Sequence, residues 1–167
     1  MEKEKWEKRK LLAGIAAGII TISGMIVNAP YLVDGSPGWM NVMASVVILI
    51  SWIMFAASLM AGASPLDRRK AFLTICRVIG LIMALILLLH LICCGVGGGI
   101  ISLLAVFYMI LMAPVSGIAL PLYMEYERSV EYTGTGFVSP VLVMACYGVF
   151  LAACGLIYLL TAKNNAK

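Results

Sequence analysis

Residues 87–104 read LLLHLICCGVGGGIISLL and hold the single histidine of the chain, two adjacent cysteines and four of its sixteen glycines. What this stretch is depends on the medium around it. On either side lie apolar runs, one reaching back to Ala71 and one forward to Pro121. If the medium is lipid, the stretch is the turn between two membrane helices. In water it would need a site to explain it.

Composition decides for lipid. Of 167 residues, 63% are hydrophobic and 12% charged, against roughly 45–50% and 25% in soluble domains. A soluble fold of this size has no interior large enough for so much apolar surface. A bilayer takes it, because about 20 apolar helical residues cross a hydrocarbon core of about 30 Å. Five runs have that length, at about 11–28, 40–62, 71–94, 100–122 and 138–161. None alternates apolar with polar residues, so helices rather than barrel strands are expected. The expected fold is all-α. A charged tail over 1–10 precedes a transmembrane bundle over 11–162, and 163–167 form a short C-terminal tail. The bundle has five spans, or four if the fourth run is re-entrant.

Orientation follows from the basic residues. With the N-terminus in the cytoplasm, Lys3, Lys5, Lys8, Arg9, Lys10, Arg68, Arg69, Lys70, snorkelling Arg77 and Arg128 are inside. Five spans leave only Lys163 and Lys167 outside, a mild violation that four spans would remove. This places the chain in an inner or plasma membrane. The N-terminal lysines and arginines alternate with Glu2, Glu4 and Glu7, which makes a solvated tail and not a nucleic-acid patch. The first run resembles a signal peptide, but Pro30 directly after Asn28-Ala29 suits a retained helix better.

His90, Cys93 and Cys94 stand at i, i+3 and i+4 and share a helix face. The set suits a soft metal such as Cu(I) or Zn, with Cys154 of the fifth run expected at a comparable depth as a further ligand. The preferred reading is structural, since cysteine is an ordinary buried residue in apolar settings. The glycines match neither G-x-G-x-x-G nor a P-loop; they allow a sharp reversal. No cofactor is expected. All eight acidic residues fall in tails or connections, so the carboxylate that marks ion coupling within a membrane is missing. No catalytic constellation is visible either, and the chain is not expected to be an enzyme.

Small residues recur four apart at Gly14 and Gly18, Ala57 and Ala61, and Gly148 and Ala152, which lets helix backbones approach closely. They suit packing within the bundle or against a partner, either a second copy or a larger membrane complex. The fourth run is irregular: Pro114, Ser116 and Gly117 lie together, with Pro121 beyond. Proline removes a backbone donor and frees a carbonyl, and broken helices mark solute paths in transporters.

The connections carry a resemblance. GASPLDRRKAF follows the second run, and ALPLYMEYERSVEYTGTGFVSP joins the fourth to the fifth. They are similar to segments of major facilitator superfamily transporters, with Gly62, Asp67, Arg68, Arg69 and Lys70 matching a loop after the second helix of a half, and Glu125, Gly134 and Gly136 matching a segment that leads into a fifth helix. Gly62 to Asp67 is one residue longer than the pattern, and the glycine between the basic residues is absent. The resemblance spans residues 40–140 at most. It implies a shortened transporter half that moves a small solute as an oligomer. The alternative expectation is a non-catalytic subunit docked in a larger membrane complex. A third is a copper- or thiol-handling protein built on the histidine and cysteines.

Overall fold

The computed structural model describes residues 2–34, 38–61, 63–95, 110–119 and 140–164. Among these, every regular element is a helix: α1 Glu2–Asp34, α2 Trp39–Met60, α3 Pro65–Gly95, α4 Ile110–Ala119 and α5 Pro140–Asn164. Four helices are long and apolar enough to cross a membrane, over Trp6–Asn28, Trp39–Met60, Pro65–Ile92 and Leu142–Lys163. Their outward surfaces are apolar: Leu11, Trp39 and Leu81 are 65%, 73% and 71% exposed. In water such faces would demand a partner; in a bilayer they meet acyl chains. The chain is a multi-pass helical membrane protein.

Of the fourth apolar run the structure describes α4, Ile110–Ala119. Almost all of it is buried, from Met112 through Gly117 and again at Ala119.

The direction of α5 is fixed by ring contacts. Phe72, near the start of α3, stacks on Tyr158, near the end of α5, with centroids 5.0 Å apart. The Trp52 ring of α2 stacks on Tyr147 at 6.1 Å and meets Phe150 edge-on at 5.7 Å. Hence α5 runs antiparallel to α3, and Lys163 ends on the face where α3 begins. The same end holds the start of α1, because Trp6 Nε1 donates to the Ala61 carbonyl at 3.0 Å. One end of the bundle therefore carries Lys8, Arg9, Lys10, Arg69, Lys70 and Lys163; we call it the basic end. Lys163, the exception under five spans, joins the other basic residues once α5 is the fourth crossing.

The helix ends are built locally. Ser64 Oγ receives the Asp67 N–H at 3.2 Å and donates to the Asp67 carboxylate at 2.7 Å, which closes the first turn of α3. At the other end of the bundle, Gly38 has no side chain to cap α2. Asn41 compensates in part, its Oδ1 accepting the Gly38 N–H at 3.1 Å.

Candidate functional site: an amide and hydroxyl cluster on α4

Asparagine occurs at positions 28, 41, 164 and 165, and glutamine not at all. The two amides outside the C-terminal tail meet in the bundle. Asn28 comes from the last turns of the α1 span and Asn41 from the first turn of α2, each 1% exposed, and Ser45 one turn further along α2 is fully buried. An amide in this setting must satisfy its donors and acceptor within the protein.

They are satisfied by each other, by neighbouring groups of α1 and α2, and by α4. Asn28 Nδ2 donates to the Ala113 carbonyl at 2.7 Å and to Ser45 Oγ at 3.0 Å. Asn41 Nδ2 donates to Asn28 Oδ1 at 3.3 Å and to the Val27 carbonyl at 3.1 Å. The Gly117 N–H donates to Ser45 Oγ at 3.1 Å, and the Ser116 hydroxyl donates to the Ala113 carbonyl at 3.1 Å. A third helix joins in: the Tyr147 hydroxyl of α5 donates to the Leu111 carbonyl at 2.9 Å. The Ala113 carbonyl and the Gly117 N–H are the pair that would close one helical turn, and here both also face side chains of other helices. Pro114 has no N–H to give the Ile110 carbonyl. The backbone of α4 is thus read by side chains from α1, α2 and α5.

Close packing makes this reach possible. A β-carbon on Gly117 would collide with the carbonyl group of Asn41 and come within 2.7 Å of Ser45 Oγ. On its other side α4 contributes Met112, Val115 and Ala119 to the apolar core that also contains Ile86, Leu89 and Val143. Leu111 lies beside Tyr147, whose ring stacks on Trp52, and Gly117 lies beside Asn41. From its middle outward, α4 therefore points to the end opposite the basic one. A further tie strengthens the α1–α2 pair: Trp52 Nε1 donates to Thr21 Oγ1 at 2.8 Å, and Thr21 donates to the Ala17 carbonyl at 2.7 Å.

Of the candidates from sequence, Ser116 and Gly117 lie in this cluster, and Pro114 lies one position from Ala113. Asn28, Asn41, Ser45 and Tyr147 were not singled out; the signal for the first two was their being the only amides within the apolar runs. Among the metal candidates, Cys154 does not join His90. The β position of Gly155, next to Cys154, lies 4.0 Å from the ring of Phe72, which is eighteen residues and roughly 27 Å of helix rise from His90. The expectation of comparable depth for Cys154 and His90 assumed the opposite direction for α5 and is corrected here. The side chains of Cys93 and Cys94 lie outside the described residues, among which no group of three metal-binding side chains occurs. Cys154 is buried and its thiol is free.

The small residues divide. Gly14 faces the Phe55 ring, with its β position 3.1 Å from the ring, whereas Gly18 and Gly148 have nothing within 4 Å. Ala57 is half-buried, while Ala61 and Ala152 are exposed. Gly24, which sequence reasoning passed over, packs against Ile48. Asp67, Arg69 and Lys70 are exposed at the basic end and Arg68 is buried. The second segment of the transporter resemblance, with Glu125, Gly134 and Gly136, lies outside the described residues; α5, which follows it, starts at the end opposite Asp67.

Comparison with family models, curated proteins and solved structures finds no match for this chain.

Proposed function

We propose that the protein is a transporter-like unit whose substrate site is the amide and hydroxyl cluster against α4, and that the substrate is a small polar solute. One observation carries the reading: buried side chains of three helices converge on the backbone of α4, a segment that holds Pro114. Discontinuous helices with engaged backbone groups are how transporters present binding groups at membrane depth. The chemistry of the cluster narrows the solute. Its groups are amides, hydroxyls and peptide dipoles, with no charged side chain among them, which suits a neutral molecule carrying donors and acceptors. A solute would displace the Asn28–Ala113 and Ser45–Gly117 bonds one for one, since each is a donor–acceptor pair that water or a hydroxylated molecule replaces. Two or more copies acting together would complete the path, in line with the expectation of an oligomer.

The test is uptake into proteoliposomes holding the purified chain, across a panel of neutral and charged small solutes. Saturable flux of a neutral polar solute, lost in Asn28→Ala while the protein stays folded, is the expected result. No flux with any solute would overturn it.

A second reading rests on a different observation. The cluster groups satisfy one another, and Gly117 sits against the Asn41 backbone with no space between, as in a permanent latch. Together with exposed Ala152 and open Gly148 on α5, this fits a non-catalytic subunit that docks a larger complex. Co-purification of a second membrane protein in fixed ratio, lost in Gly148→Leu, would favour it.

A further inference from the structure

At the basic end, away from α4, we infer that Arg68 and the apolar groove between α2 and α3 form a binding site for one anionic phospholipid. Arg68 sits in the first turns of α3 and is 3% exposed. Its Nη2 donates to the Ala63 carbonyl at 3.2 Å, and its Nε is buried with no acceptor among the described residues. A buried guanidinium donor without a partner is costly, because nothing replaces the water it lost. Asp67, the acid beside it, does not fill the role in this arrangement; its carboxylate is engaged by Ser64. The missing acceptor is an anionic oxygen, and a phosphate oxygen suits the planar fork of arginine.

The groove says where that phosphate would come from. It encloses about 440 Å³ and is lined by Trp52, Phe55, Leu59, Ile75, Val78 and Ile79 among others, with Thr74 the only polar residue in its wall. Arg68 stands seven residues before Ile75 and eleven before Ile79, so it lies on the face of α3 that forms the groove. A guanidinium at membrane-surface depth with an apolar channel beneath it matches a phospholipid in both charge and shape: phosphate to Nε, acyl chain along Phe55 and Val78. Free inorganic phosphate would leave the groove unused. Exposed Arg69 and Lys70 flank the site and select against zwitterionic headgroups, whose ammonium they repel. Basic pockets between membrane helices bind anionic headgroups on this principle.

The test uses the full chain, exchanged from detergent into nanodiscs of equal phosphatidylglycerol and phosphatidylcholine, with tightly bound lipid counted by mass spectrometry. The native chain should retain phosphatidylglycerol at least tenfold over phosphatidylcholine. Arg68→Gln should bring the ratio below threefold. Val78→Trp, at an exposed position of the groove wall, should do so with the arginine intact, and this variant decides the matter if Arg68→Gln fails to fold. Equal retention of the two lipids by the native chain, or a ratio unchanged in Val78→Trp, would overturn the proposal. So would displacement of the lipid by millimolar inorganic phosphate, since that means the headgroup alone is recognised.

Discussion

Asn28 of α1 and Ala113 of α4, 85 positions apart in sequence, are joined by a 2.7 Å hydrogen bond from the amide of one to the carbonyl of the other. Through it the first apolar helix governs the position of α4. Deleting it with Asn28→Ala leaves the Ala113 carbonyl, Ser45 and Asn41 each short of a partner. Hydrogen bonds between membrane helices contribute about 0.6 kcal/mol on average and up to about 1.7. Two donor bonds and one acceptor bond place Asn28→Ala at the upper end of that range. Reversible unfolding in mixed micelles measures it, and a cycle with Ser45→Ala should show coupling between the two sites.

Gly117 admits no side chain. Gly117→Val forces α4 off the Asn41 backbone and disrupts the Ser45 contact with it. We expect a loss of about 1–3 kcal/mol, the range for overpacked interiors, and a lower thermal midpoint for the purified protein. Gly80→Ala on α3, where nothing lies within 4 Å, is the matched control and should shift the midpoint little or upward, because alanine is the better helix former.

The antiparallel pairing of α3 and α5, with the bond from Trp6 to Ala61, puts Trp6 and Lys163 on one face. A reporter fused after Lys167 should therefore read the same side of the membrane as one fused before Met1, and as a label at Lys70→Cys in a cysteine-free background. A C-terminal reporter on the opposite side from Lys70 would contradict the pairing of Phe72 with Tyr158.

Tyr147→Phe keeps the ring stack on Trp52 and removes only the bond to the Leu111 carbonyl. The expected cost is about 0.5–1.5 kcal/mol, as for a single net hydrogen bond. Trp52 fluorescence should keep its native emission maximum in this variant, whereas Tyr147→Ala, which also removes the stack, should shift it.

Membrane class, the all-α fold and the basic end were legible in the sequence, because length, hydropathy and lysine placement report directly on the bilayer. The fourth run was harder. Its hydropathy is that of a span, and only Pro114, Ser116, Gly117 and the misplaced Lys163 hinted at anything else. Hydropathy measures transfer to lipid and is blind to whether lipid or other helices surround a segment; the residues of α4 are apolar because they are buried in protein. The partners of the cluster were legible only in part. Asn28 and Asn41 stand out as lone amides, but the tertiary pairing that brings Ser45 and Tyr147 to the α4 backbone leaves no local pattern. The depth of Cys154 was misread for the same reason, since it depends on the direction of α5 and so on the fate of the run before it.

The placement of Trp6 and Lys163 at one end of the bundle has a bearing on how copies of this chain can be joined. With both on the same side, a head-to-tail fusion through a short soluble linker inserts both copies the same way up. A dimer made from such a fusion would have its symmetry axis along the membrane normal. Activity of the tandem form would thus report on whether two like-oriented copies suffice.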